Sequence, residues 1–342
     1  DKDVTLEVNV VEMVDPNKDS TDADADHTKQ PYLRYSFKSD ATSVKTAKDT
    51  GADSHFMTTV PDDAYDDNPA ATSTETVDVT KIVASAKCED MKFWSPDSPN
   101  LYDVYTVLKD SEGNVLDVQK TTTGFRKVEY DINDGGLKIN DQPVWLTGYA
   151  QRSTNEWAVI GVANDWLQDL DMQWIKESNS NFIRWMHVAP KPSQIRSGDK
   201  YGVVSACPAG DKEADVDGRA WDQRVEAMRD AMIYFRNSPS VIFWEAGNNA
   251  VTAAHQQEMT DLKNTLDPNG ERFCGCRTIS STDQIQAADY VGTMLNRHAS
   301  NAKASMAAIK KYVPIMETEY AREEAPRRVW DDFSPPDYDY RN

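Results

Sequence analysis

Cysteine and histidine are scarce in this sequence, four and five residues among 342. Four thiols, Cys88, Cys207, Cys274 and Cys276, are too sparse for a disulfide scaffold. The Cys274-Gly275-Cys276 pair lacks a second pair or a His-x-His to complete a zinc site, so the thiols read as small buried hydrophobes, and neither metal nor cofactor is expected. The histidines (His27, His55, His187, His255, His298) never fall at the His-x-x-x-His spacing of helical zinc sites. Basic residues are in deficit, 37 against 57 acidic, for a net charge of −20. That excess repels phosphate backbones and anionic lipid, which excludes nucleic acid and membrane surfaces as partners. No stretch approaches the roughly 20 apolar residues of a membrane span. No Gly-x-Gly-x-x-Gly or Gly-x-x-x-x-Gly-Lys loop follows an apolar run, which argues against nucleotide-binding folds. No leader is recognisable, and the first residue, Asp1, is what a processed or truncated protein would show, so export stays open.

What is there divides by periodicity, and the length suggests about two domains. Residues 1–130 read as strands. Thr5–Val11, Tyr32–Phe37 and Leu101–Leu108 alternate polar with apolar residues. Asp110–Asn114 is a tight-turn sequence, and Val115–Gln119 returns to complete a hairpin. The Asp- and Thr-rich stretches 15–29 and 61–76 read as solvated loops. An antiparallel sandwich of immunoglobulin type is the expected fold of this half.

Residues 131–342 alternate short apolar runs with amphipathic helices. Strands are predicted at Val144–Tyr149, Asn181–Trp185, Gly202–Ala206, Val241–Trp244 and Val313–Met316. A helix is predicted over 164–177 with Leu167, Leu170 and Trp174 inward, and another with Trp221, Val225, Met228, Met232 and Phe235 on one face. Such alternation implies a parallel sheet with helical crossovers. Polar residues cluster at the ends of these strands, where a barrel carries its functional groups: Arg184, His187, Asp211, Asn248, Asn249, Glu317 and Glu319.

Seven motifs in order carry a resemblance. They are Trp94-Ser95-Pro96-Asp97-Ser98-Pro99-Asn100-Leu101-Tyr102; Gly124-Phe125-Arg126; Leu137 through Gly148; Asn181-Phe182-Ile183-Arg184 with His187 and Pro190; Asp199-Lys200-Tyr201-Gly202; Arg236 through Trp244 followed by Gly247-Asn248; and Pro314 through Tyr320. Together they resemble glycoside hydrolase family 2, the β-galactosidase, β-glucuronidase and β-mannosidase group. The resemblance implies an immunoglobulin-like β-sandwich followed by a (β/α)8 TIM barrel. Here both chain ends look incomplete, since the family's N-terminal jelly roll is not evident and few residues follow Glu319 to build an eighth unit.

The resemblance also implies a retaining exo-β-glycosidase, β-galactosidase-like, that forms a glycosyl-enzyme on Glu319. Asn248 is expected to bind the sugar hydroxyl beside the reacting carbon, Arg184 to orient the nucleophile, and His187 and Tyr320 to contact the sugar. Tyr149, Trp157 and Trp185 are further candidates for stacking on it. The acid/base position is occupied by Asn249, and an amide does not donate a proton as a carboxylic acid does. Three readings stand open. Another carboxyl serves (Glu245, Glu156, Asp211, Glu213 or Glu317); or the lineage has altered its mechanism or substrate; or the position has been changed from glutamate. Glu245 also reads as a brace for Arg184. Ala150-Gln151-Arg152-Ser153 and Ala206-Cys207-Pro208-Ala209-Gly210-Asp211 depart from the family's usual residues where selectivity is set. The alternative function is a catalytically impaired carbohydrate-binding protein. A carbohydrate is the expected partner, a homo-oligomer is compatible with it, and a periplasmic or extracellular location fits polysaccharide-degrading relatives.

Overall fold

The structure, a computed structural model, describes residues 2–13, 32–44, 81–131, 133, 136–152, 164–210, 214–277, 281–293 and 313–317. The chain falls into two compact units. One comprises Asp1–Glu12, Lys29–Asp90 and Asp103–Thr121; the other comprises Met13–Thr28, Met91–Tyr102 and Thr122–Asn342. The predicted loops at 15–29 and 61–76 lie outside the described residues.

The first unit holds β1 (Lys2–Glu12), β2 (Tyr32–Lys38) and β3 (Thr42–Val44). After a short pair in the second unit, β4 (Trp94–Ser95) and β5 (Ser98–Pro99), come β6 (Tyr102–Asp110) and β7 (Val115–Thr123). The sheet runs β2-β1-β6-β7, with β3 also on β1. Val4, Val8 and Val10 on β1 are buried, as alternation requires. On β2 the alternation breaks. Val10 faces Tyr35 but Val11 faces Leu33, so β2 carries one extra residue, Arg34. This bulge leaves Leu33 exposed while Tyr35 and Phe37 stay half-buried. The β6–β7 hairpin closes as its sequence suggests: the Asp110 carboxylate accepts from the backbone N–H of Glu112 and Asn114, and Gly113 takes φ +87°.

The second unit opens with an antiparallel meander, β8 (Val128–Asp131), β9 (Gly136–Ile139) and β10 (Gln142–Pro143). Seven parallel strands with helical crossovers follow: β11 (Gly148–Arg152), α1 (Asp165–Glu177), β12 (Phe182–Met186), α2 (Pro192–Tyr201), β13 (Val204–Pro208), α3 (Arg219–Phe235), β14 (Val241–Glu245), α4 (Ala253–Leu266), β15 (Phe273–Cys276), α5 (Thr282–Ala287), β16 (Tyr290–Thr293) and β17 (Ile315–Glu317). Their spatial order is their chain order, β11 through β17. A doubly wound sheet reverses its order at a switch point, and a barrel does not.

Alternation along these strands separates two apolar layers. Ile183, Trp185, Cys207, Trp244, Cys274 and Cys276 pack outward with Met172, Trp221, Met228 and Met232 of the helices. Phe182, Val204, Ala206, Phe243 and Tyr290 pack inward with Trp94, Val128 and Ile139. Burial pushes the Cys274 thiol up to about 12, so it behaves as the small hydrophobe its isolation implied.

Three sequence expectations are corrected. The first barrel strand is Gly148–Arg152, not Val144–Tyr149, because Val144 is still occupied with the meander, donating to the Leu137 carbonyl. Helix α1 buries Gln168, Met172 and Ile175, whereas Trp174 is 56% exposed. Strands β15 and β16 escape the sequence pattern because each is four residues long and contains glycine. Gly275 is required there: a Cβ would lie 2.6 Å from the Tyr290 ring.

Several motif residues meet at the N-terminal ends of the strands. Trp94 donates its indole N–H to the Asp199 carbonyl (2.8 Å), and its own carbonyl accepts from Asn140 (2.9 Å). Gly202 ends α2 at φ +73°, where a Cβ would sit 2.2 Å from the Pro96 carbonyl oxygen. Arg126 donates to the carbonyls of Pro239 (2.6 Å), Val241 (3.0 Å) and Gly270 (3.2 Å). Arg272 reaches Val241 and Ser238 and pairs with Asp267 at 2.7 Å. Burial and the neighbouring Arg272 charge push Arg126 down to about 9. A cleft of about 430 Å³ lies here, lined by Phe93, Arg126, Arg236, Asn237 and Arg272 among others. It sits at the opposite end of the strands from the polar cluster described next.

Candidate active site

On β12, Ile183 and Trp185 belong to the outer layer, so Arg184 between them faces the barrel interior. On β14 the same alternation puts Trp244 outward and Phe243 and Glu245 inward. Between them, β13 presents Ala206, register partner of both Arg184 and Phe243. Its small side chain leaves room for Arg184 to cross the strand. Arg184 donates Nε to Glu245 Oε2 (2.7 Å) and Nη2 to Glu245 Oε1 (2.5 Å). Both side chains are 1% exposed. The same Nη2 also donates to Asn248 Oδ1 at 2.9 Å.

The loop after β14 is held by β15 and the residue following it. Ala246 N–H donates to the Gly275 carbonyl (2.7 Å), and Arg277 N–H to the Gly247 carbonyl (3.2 Å). The Cys276 thiol lies 3.0 Å from the Gly247 carbonyl and 2.8 Å from that of Asn249. Arg277 donates Nε to the Asn248 carbonyl (2.5 Å) and Nη2 to Asn249 Oδ1 (2.6 Å). A guanidinium only donates, so each asparagine must turn its amide oxygen to its arginine. In each amide the NH2 group is thereby left as the donor.

Tyr290 on β16 donates its hydroxyl to the Trp244 carbonyl at 3.4 Å. Burial, then the Glu245 charge, pushes its phenol well above the ordinary range, so it stays protonated. His187 is buried just past β12, and the Met186–His187 peptide is cis.

Thus Arg184, Glu245, Asn248 and Asn249 come together, and His187 follows the strand that carries Arg184. Glu319 and Tyr320 follow β17 by two and three residues and lie outside the described residues, as do Glu156, Trp157, Asp211, Glu213 and the Glu317 side chain. Two stacking candidates are corrected. Trp185 is fully buried in the outer layer with its indole N–H on Ser205 Oγ (3.3 Å). Tyr149 is the register partner of outward Ile183 and bonds Ser178 Oγ. Arg277 carries little signal in the sequence, a lone arginine after Cys-Gly-Cys, because the strand before it is only four residues long and contains glycine.

The description "Glycosyl hydrolases family 2" matches residues 4–126, and "Glycosyl hydrolases family 2, TIM barrel domain" matches residues 130–328. The chain belongs to glycosyl hydrolase family 2. Its architecture is that family's sandwich-type domain followed by a TIM barrel domain, of which the described residues show seven parallel strands. A β-glucuronidase of Formosa agariphila is 35% identical over 265 residues, covering 77% of this chain and 26% of the relative. A β-galactosidase of Photobacterium profundum is 28% identical over 188 residues, 52% of this chain and 18% of the relative. Among solved structures, a β-glucuronidase from glycoside hydrolase family 2 superposes with TM-score 0.71 at 27% identity, covering 98% of this chain and 29% of that one. The chain therefore spans about a quarter or less of the length of the curated relatives it matches.

Proposed function

We propose that this chain is the catalytic portion of a retaining exo-β-glycosidase that removes a terminal sugar through a glycosyl-enzyme on Glu319. The observation that carries the reading is the Arg184–Glu245–Asn248 network, buried at the strand ends of a family 2 barrel. Glu319 follows β17 in the motif Thr318-Glu319-Tyr320. In this account the Glu319 carboxylate attacks the anomeric carbon. The Asn248 NH2 donates to the adjacent sugar hydroxyl, a bond that strengthens in the oxocarbenium-like transition state. Arg184 fixes the Asn248 amide by occupying its oxygen. His187 and Tyr320 contact the sugar. Glu245 is assigned as the brace of Arg184, because both of its carboxylate oxygens are taken up by the guanidinium, through Nε at 2.7 Å and Nη2 at 2.5 Å. The domain division proposed is 1–130 for the sandwich and 131–342 for the barrel.

The sugar proposed first is a β-glucuronide, ahead of the β-galactoside that the motifs alone suggest. A relative that is 35% identical over 77% of this chain is a β-glucuronidase, whereas a β-galactosidase relative is 28% identical over 52% of it. A second reading, a carbohydrate-binding protein without turnover, draws on the amide at Asn249. Activated aryl β-glucuronides and β-galactosides, assayed with the chain and its Glu319→Gln variant, test the proposal. Release of aryl alcohol from at least one sugar, lost in the variant and giving first the β-anomer by NMR, is expected. Saturable binding of both sugars with no release favours the second reading.

A further inference from the structure

Asn249 stands where the family resemblance puts a proton-donating carboxyl, and its amide is not loosely placed. Its oxygen accepts from Arg277 Nη2 at 2.6 Å, and its backbone carbonyl lies 2.8 Å from the Cys276 thiol. Arg277 also holds the neighbouring carbonyl of Asn248 through Nε and ties its own N–H to Gly247. Along β15, Phe273 packs against the inner cluster and Cys274 and Cys276 belong to the outer one, so Arg277 continues the inward series past Gly275. The guanidinium therefore fixes which limb of the amide faces it and leaves the NH2 limb as a donor. This grip suits an amide. A carboxyl at 249 would be held ionised by the same guanidinium and would be a weak acid catalyst.

We propose that Arg277 and Asn249 form a matched pair that presents a fixed N–H donor, in place of an acid, to the departing glycosidic oxygen. The substrates are then glycosides whose aglycone leaves as a stable oxyanion: phenolic, acyl or phosphate-linked. This inference rests on the reading of Glu319 as nucleophile and of position 249 as the leaving-group site. In the first half-reaction, Glu319 bonds to the anomeric carbon. The bond from that carbon to the glycosidic oxygen breaks, and the oxygen keeps the electron pair. The Asn249 N–H stabilises the new charge without giving up its proton, and the oxyanion takes a proton from water. In the second, water adds to the anomeric carbon, the Glu319 carboxylate is released, and the proton passes to solvent. Asn249 acts on the leaving oxygen, and Arg277 is a positioning residue acting through it.

The test is kcat/KM for dinitrophenyl, nitrophenyl, phenyl and methyl glycosides of one accepted sugar. The pair predicts turnover of the dinitrophenyl glycoside and a fall of about 10²- to 10⁴-fold toward the phenyl glycoside, the range that acid assistance usually supplies. Replacing Asn249 by Ala, or Arg277 by Met, should each cost on the order of 100-fold on the nitrophenyl substrate, as loss of one preorganised donor does. Arg277→Met should cost nothing further in the Asn249→Ala background, with folding of each variant checked by urea titration. Similar rates for phenyl and dinitrophenyl glycosides overturn the proposal, because some other group then supplies the proton. An Arg277→Met loss that is equally large in both backgrounds also overturns it and leaves Arg277 as a fold brace. No release from any dinitrophenyl glycoside, with no covalent label on Glu319 from a fluoro-sugar, fails the underlying glycosidase reading instead.

Discussion

Arg184 and Glu245 form a two-pronged ion pair, 2.7 and 2.5 Å, that crosses β13 inside the barrel with both side chains 1% exposed. Glu245→Ala would leave the guanidinium buried without its carboxylate, which costs about 3–5 kcal/mol. An apolar pair of similar volume, Arg184→Met with Glu245→Leu, should recover most of that stability while losing activity, since Asn248 then loses the donor that orients its amide. Urea denaturation and aryl-glycoside assays on the same variants separate the two effects. Equal stability of the single and double variants would contradict this.

Asp199 gives a pH signature. Burial raises its carboxyl to about 6 from 3.8, with hydrogen bonds from Ser240 only partly offsetting the cost. Below pH 3.8 it is protonated whether the chain is folded or unfolded. Between that value and about 6 only the folded state keeps its proton, so stability falls as pH rises through the window. At 1.36 kcal/mol per unit the fall attributable to Asp199 is about 3 kcal/mol. Asp199→Asn should flatten this slope in denaturation curves taken between pH 4 and 7; an unchanged slope would remove Asp199 as its source.

Restoring a carboxyl at position 249 should not by itself restore acid catalysis. In Asn249→Glu the Arg277 guanidinium favours the ionised form. Turnover of phenyl glycosides should therefore rise by 10-fold or more, roughly, only when Arg277→Gln accompanies it, within the range that a working general acid contributes. A full gain from the single substitution would show that Arg277 does not control this position.

The face of α1 is open to direct test. Met172 is fully buried and Trp174 is 56% exposed. Met172→Ala should cost about 2–5 kcal/mol, and Trp174→Ser about 0.5 kcal/mol or less. The reverse ranking in urea titration would reinstate the face with Trp174 inward.

Much of this was legible in residue order, and the gaps have physical causes. The α3 face of Trp221, Met228, Met232 and Phe235 could be read because apolar residues recur at helical spacing and all four are buried. The α1 face misled because tryptophan was counted as apolar, while Gln168 and Met172 hold the buried stripe. Strand β15 was unreadable because Cys-Gly-Cys carries little strand propensity, and its glycine is there for the Tyr290 ring. With that strand went Arg277, whose role depends on a contact to Asn249, 28 positions away. The Arg184–Glu245 pair was legible as a brace because both residues occupy alternating inward positions on strands read from the sequence. Periodicity places a side chain on a face, but only tertiary packing pairs it across a barrel.

The measurement that bears most directly on the central claim is mass mapping after incubation with 2-deoxy-2-fluoro-β-glucuronosyl fluoride and its galactosyl counterpart. These reagents carry a leaving group that needs no acid, so the amide at Asn249 does not prevent reaction. The account predicts one added sugar on the peptide containing Glu319, absent in Glu319→Gln. An unlabelled chain, or a label on Glu245 or another carboxyl, would contradict it.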